Sequence, residues 1–88
     1  MNDLSGFEQL YKKIKLISNK NRFKILLLTQ EKQLNITEIS QKLKLSYTKT
    51  ADYITLLEKE GLVTKTKEGK EIKIHSKVKL SLNKIEVL

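Results

Sequence analysis

NITEISQKLKLSYTKTADYITLLEKEGLV, residues 35–63, is the stretch that decides the fold. Asn35 followed three residues later by Glu38 reads as a capping box, with Asn in place of the usual Ser or Thr. Ile36, Ile39 and Leu43 then share one side of a short helix. Lys44-Leu45 leaves room for a tight turn, and Ser46 caps a second helix. That helix runs to Gly61, a residue suited to the left-handed position after a helix C-terminus. Thr50, Ile54 and Leu57 fall on one of its faces; Thr48, Asp52, Thr55 and Lys59 fall on the opposite one. Its first turn holds Tyr47, Thr48, Lys49 and Thr50, all able to make polar contacts and none acidic.

Upstream, Phe7, Leu10, Tyr11, Ile14 and Ile17 draw one apolar stripe over a helix at residues 7 to 18, with Lys12, Lys13 and Lys15 elsewhere on its surface. Ser18 to Asn21 breaks the pattern. A further helix from Lys20 to Glu31, with Phe23, Ile25, Leu26, Leu27 and Leu28, is apolar nearly all round and is expected in the middle of the domain. Downstream, residues 62–67 and 71–76 alternate about a Glu68-Gly69 turn signal, which predicts a β-hairpin. Pairing Lys67 with Lys70 sets Val63 opposite Ile74 and puts both apolar residues on one face. The hairpin carries Lys65, Lys67, Lys70 and Lys73. In the tail, Val78, Leu80 and Leu82 alternate like a strand, while Leu82, Ile85, Val87 and Leu88 fit a helix equally; a strand-like start is favoured and the end stays open.

The 88 residues suit one domain spanning 1–88 with a modest core. The net charge of +8 points to a polyanionic partner. The absence of cysteine removes disulfides, thiolate zinc sites and cysteine nucleophiles together. One histidine, His75, makes neither a metal site nor a catalytic constellation, and three glycines form no phosphate loop. No enzyme activity, cofactor or metal is expected. The longest apolar run, Ile25 to Leu28, is too short to cross a bilayer, and the N-terminus has no signal-peptide pattern. The expectation is a soluble cytoplasmic protein with no membrane partner. Asn35-Ile36-Thr37 is then an accidental glycosylation match.

Two helices joined by a tight turn, about 36–60, form a helix-turn-helix. The basic hairpin at about 62–76 adds a wing, so the fold class is mainly α with a β-hairpin: a winged helix-turn-helix. A helix N-terminus carries partial positive charge and free N–H groups. Ser46, Tyr47, Thr48 and Lys49 can therefore reach base edges or phosphates in a DNA major groove. Ala51, Asp52 and Thr55 lie further along; Ala51 suits a thymine methyl or a small packing position, and Asp52 reads a cytosine amino group or lies off the groove. Lys65, Lys67 and Lys70 are candidate wing contacts to phosphate; Arg22 either touches a phosphate or has a structural role at its helix start. Tyr53 is expected to pack against the hairpin or a neighbouring helix.

These residues resemble the winged-helix regulators of the ArsR type over roughly 16–76. Asn21-Arg22-Phe23-Lys24-Ile25-Leu26 is similar to that family's Arg-x-x-Ile-Leu signature, and Leu43-Lys44-Leu45-Ser46 to its Leu-Gly-Leu-Ser turn. Ile54, Leu57 and Gly61-Leu62-Val63 resemble the end of its recognition helix, and Lys67-Glu68-Gly69-Lys70 its basic wing tip. Two departures stand out. Lys44 replaces a glycine, at a strain on the order of 1 kcal/mol, and Asp52 replaces a frequent arginine. The Cys and His ligands of the metal-sensing members are missing.

The resemblance implies a homodimer formed through terminal elements. Phe7, Leu10, Tyr11 and Ile14, with Val78, Leu80, Leu82, Ile85 and Leu88, are the candidate surface; the competing reading closes both termini over the chain's own core. The function expected is a dimeric, sequence-specific regulator of transcription on double-stranded DNA, a repressor by analogy with the family. A non-specific architectural nucleic-acid binder and a winged-helix protein-interaction module are the alternatives.

Overall fold

The computed structural model describes residues 5–81 and the backbone of 85–87. Helices α1 (Ser5–Ile17), α2 (Lys20–Glu31), α3 (Ile36–Leu43) and α4 (Tyr47–Lys59) precede strands β1 (Val63–Glu68), β2 (Glu71–Ser76), β3 (Val78–Leu80) and β4 (Ile85–Val87). This is the winged helix-turn-helix read from the sequence. Helix α2 touches α1, α3, α4, β2 and β3 and so occupies the middle. Its burial is one-sided, however. Ile25, Leu26 and Thr29 are buried, while Phe23 and Leu27, four residues apart, remain partly exposed on the outer flank.

Ile25 and Leu26 of α2, Ile39 of α3, and Ile54 and Leu57 of α4 are wholly buried, together with Leu62 and Ile74 of the wing region. Burial of each such side chain is worth about 1.5–3 kcal/mol. Two threonines sit among them without leaving a bare hydroxyl. Thr29 donates to the carbonyl of Ile25 and Thr50 to that of Ser46, at 2.8 and 2.9 Å.

Local chemistry sets the helix ends. Asn35 accepts from the Glu38 N–H at 2.8 Å and Glu38 accepts from the Asn35 N–H at 2.9 Å, a reciprocal capping box. Helix α4 ends in a Schellman motif: the Leu62 N–H donates to the Leu57 carbonyl and the Gly61 N–H to that of Glu58, both at 2.9 Å. Gly61 has φ +74. Helix α3 ends in the same pattern, with Leu45 N–H bonded to Ser40 and Lys44 N–H to Gln41. Here the left-handed position, φ 57 and ψ 43, is filled by Lys44.

The wing register differs from the expected one. Glu68 pairs with Glu71, Lys67 with Ile72, Lys65 with Ile74 and Val63 with Ser76. The two-residue loop is therefore Gly69-Lys70, one position on from the expected Glu68-Gly69, and each β1 residue meets a partner two positions further along β2. Only Gly69 has positive φ there, as a II′ turn requires of its first central residue. A shift of two preserves the faces, so Val63 and Ile74 still point together into the core.

The tail begins as a strand, as expected. Its end pairs back rather than forming a helix, with Val78 opposite Val87 and Leu80 opposite Ile85. Ser76 turns the chain from β2 into β3, its hydroxyl donating to the Val78 carbonyl and accepting from the Val78 N–H. The Gln30 side-chain amide then brackets the Leu80 backbone, donating to its carbonyl at 3.0 Å and accepting from its N–H at 2.7 Å. Val78 and Leu80 are 1% and 6% exposed, in the chain's own core. This corrects their assignment to a dimer face, since almost no side-chain surface is left for a partner. Leu82 and Leu88 lie outside the described residues, as does the side chain of Ile85.

Lys44→Gly removes the Cβ that disfavours the left-handed conformation. It is expected to raise the stability by about 1 kcal/mol, read as a higher urea midpoint at unchanged m-value.

Candidate nucleic-acid interface

Helix α4 is placed with its N-terminus outward. Thr50, Ile54 and Leu57 anchor one face in the core, and Ser46, Tyr47, Thr48, Lys49, Asp52 and Thr55 are exposed on the rest. Ala51 is half-buried. Ser46 accepts from the Lys49 N–H at 3.1 Å and so fixes the first turn. No acidic residue lies in that turn, and Tyr47 is 57% exposed. Asp52 follows one turn later, on the outward face.

The structure sorts the wing lysines. Lys65 faces Glu58 of α4 at 3.3 Å, and Lys73 lies 3.7 Å from Glu38 and 3.5 Å from Glu71. Both charges are matched by neighbouring carboxylates. Lys67 and Lys70 are exposed near its tip and make no ion pair among the described residues. Of the three wing candidates, Lys67 and Lys70 present free cations and Lys65 does not.

The wing is tied to the start of α3. Leu34 and Ile74 exchange two backbone hydrogen bonds, at 3.2 and 2.7 Å, on the edge of β2 opposite β1. The Asn35 side-chain amide donates to Glu71 at 2.7 Å, next to the contacts of Lys73 with Glu38 and Glu71. Hairpin and helix-turn-helix are thus held in one frame. The Asn35 backbone N–H, with lesser help from Lys73 and Lys32, holds the Glu38 carboxyl below its ordinary pKa.

Three functional details escape the sequence reading. The first is the pair of cations on Tyr53; the ring itself packs on the start of α2, one of the two placements expected for it. Lys49 lies 5.7 Å from its ring centroid and Arg22 6.0 Å. A tyrosine one turn beyond a lysine was a usable signal for the first contact; nothing local signals the second. Arg22 thereby sits close to the first turn of α4, and its Nε is buried without a partner. The second is Lys13, whose ammonium donates to the Glu60 carbonyl at 3.0 Å and so caps the negative end of α4. The third is the Gln30 clamp. His75 is half-buried, with Nδ1 unpartnered, and among the described residues no group of three or more His, Asp or Glu could hold a metal. No helix among them is long and apolar enough to cross a membrane.

Phe7, Leu10, Tyr11 and Ile14 are 48–58% exposed along α1, and the Phe7 and Tyr11 rings stack at 6.3 Å. The stripe is not closed over the chain's own core; Ile17 alone of that pattern is buried.

An outward helix N-terminus beside a basic hairpin defines a winged DNA-binding architecture, and the chain belongs to the winged helix-turn-helix family, whose model matches residues 11–86. The crystal structure of the transcriptional regulator HlyU from Vibrio vulnificus is 28% identical, with a TM-score of 0.69, and the match covers 83% of this chain and 80% of that one. The homodimeric winged helix-turn-helix DNA-binding domain of a possible ArsR-family regulator from Mycobacterium bovis superposes with a TM-score of 0.77 at 19% identity, over 86% and 71% of the two chains. An ArsR-like transcriptional regulator from Rhodococcus gives 0.74 at 22%, over 81% and 67%. The ArsR-type resemblance seen in the motifs agrees with these neighbours. No match to a curated protein sequence is found.

The lowered Glu38 pKa carries a sign. A carboxyl held below its unfolded value stabilises the fold above the ordinary carboxylate range and loses that contribution as pH falls through the folded pKa. In urea titrations Glu38→Gln is expected to unfold at a lower midpoint than wild type at neutral pH. The gap should close in acid, where the wild-type carboxyl is also uncharged.

Proposed function

We propose that the chain is a homodimeric, sequence-specific regulator of transcription that binds double-stranded DNA and represses by occluding its site. The observation that carries this reading is the first turn of α4. It is capped, acid-free and exposed through Tyr47, Thr48 and Lys49, with the free cations Lys67 and Lys70 on the wing of the same frame. Thr48 and Lys49 are assigned to base edges and neighbouring phosphates, Tyr47 and Ser46 to the groove entrance, and Lys67 and Lys70 to phosphates. Ala51, Asp52 and Thr55 follow along the groove.

The dimer is assigned to the exposed stripe of α1. Four large apolar side chains at helical spacing form a patch of the kind soluble proteins cover with a partner. A two-fold pair places the two α4 helices about one DNA turn apart and calls for a near-palindromic site. Leu10→Glu with Ile14→Glu is expected to halve the mass measured by light scattering and to abolish tight binding to a palindrome. A mass equal to wild type would remove α1 from the interface.

Fluorescence anisotropy on DNA from upstream of the protein's own gene, against a shuffled duplex, tests the function. Preference for the native duplex that survives near-physiological salt is the expected result. Lys67→Ala and Lys70→Ala should weaken both duplexes alike, each lowering the salt slope by about one. Thr48→Ala should cost about 1–3 kcal/mol on the preferred site and relax its sequence preference. Equal binding to both duplexes would favour the architectural reading, which the unmatched lysines of α1 support.

A further inference from the structure

Lys12 and Lys15 of α1, Leu16 beside them, and Arg22 in the first turn of α2 line one open hollow of about 220 Å³. Three cationic side chains share this hollow, and none of them makes an ion pair among the described residues. Lys13, between the two lysines, is turned away to cap α4, so the grouping belongs to a particular flank of α1 and is not a uniform coat of charge. Arg22 lies against the Tyr53 ring, and its Nε is a buried donor with no acceptor among the described residues. An unpaired buried donor costs about 1–3 kcal/mol unless something accepts from it. A tetrahedral oxyanion supplies acceptors to a guanidinium and to two ammonium groups at once.

We propose that Lys12, Lys15 and Arg22 form a second phosphate site, occupied by the backbone of the DNA that α4 enters. This rests on the DNA-binding reading above and extends its footprint. The link to α4 is Tyr53, with Arg22 at 6.0 Å and Lys49, in the first turn of α4, at 5.7 Å from the ring centroid. A backbone passing Lys49 therefore meets Arg22 across the Tyr53 ring, and with it the hollow that Lys12 and Lys15 share. The apolar stripe meets this flank at Tyr11, which lies one turn before Lys15 and lines a neighbouring hollow with Lys12 and Lys15, so a dimer paired through the stripe has the phosphate site at its edge. The site carries no base-reading geometry. It adds affinity and fixes the angle at which the protein lies on the duplex.

The test uses the full chain with Lys12→Gln and Lys15→Gln combined, both exposed positions, and Lys67→Ala with Lys70→Ala as the comparison. Anisotropy is followed over a range of salt on native and shuffled duplexes, and thermal unfolding checks the fold. The expected result is an unchanged melting temperature, weaker binding to both duplexes, an unchanged ratio between them, and a salt slope lower by about 1.8. Ethylation of the phosphates beyond the α4 contact should interfere with wild-type binding and not with the double variant. Wild-type slope and affinity in the Lys12 and Lys15 variant, with the wing variant weakened, would overturn the second site and leave the DNA-binding reading intact. Loss of duplex binding by wild type itself would remove both. Titration with inorganic phosphate, followed by the Arg22 Nε–Hε resonance, separates the sources. A shift that saturates with phosphate alone and is absent with duplex would assign the hollow to a free anion and overturn the proposal.

Discussion

One backbone angle governs what this molecule presents to a partner. Lys44 takes the left-handed conformation after α3, and the two hydrogen bonds around it reverse the chain before it can extend. Because the reversal is tight, Ser46 begins α4 almost at once. Thr50, Ile54 and Leu57 then have only one direction in which to reach the core. Burial of that face leaves the first turn of α4 pointing out. The exposed hydroxyls and lysine are thus a consequence of packing behind them and of a turn ahead of them, and the wing takes its position from the same core through Leu62, Val63 and Ile74.

What could be read in the sequence was mostly what is decided locally. The capping box of Asn35 and Glu38, the Ser46 cap and the Gly61 stop depend on residues within a turn of each other, and the limits of α2 follow from its flanks. The wing register was not of that kind. Alternation reports only which face a residue takes, and a slip of two leaves every face unchanged. The choice falls to the turn, where Gly69 supplies the one positive φ and so must come first in the loop. The ambiguity of the tail had a different origin. Its short apolar run suits a strand or a helix, and Gln30, some fifty residues away, holds it by the backbone at Leu80.

The candidate interface divides in the same way. Residue types at the start of α4 were legible because a helix N-terminus imposes its own electrostatics. The state of each lysine was not, since charge in a sequence says nothing of its counter-charge across the fold. Glu58 claims Lys65, Glu38 and Glu71 claim Lys73, and a carbonyl of Glu60 claims Lys13. A formal excess of +8 therefore overstates how evenly positive the surface is. Among the cations left unclaimed are those of the wing tip, of the first turn of α4, and of the hollow beside Arg22.

Aromatic placement gives the molecule a property unrelated to folding. There is no tryptophan, and the three tyrosines fall on three different surfaces. Tyr11 is stacked with Phe7 on the outer stripe of α1, Tyr47 stands open at the head of α4, and Tyr53 lies between two cations on the flank that joins α4 to α2. Each ring is an ultraviolet chromophore in its own electrostatic setting. The unlabelled protein thus carries a separate optical reporter on each of those surfaces, and single Tyr→Phe replacements would assign a fluorescence change to one of them.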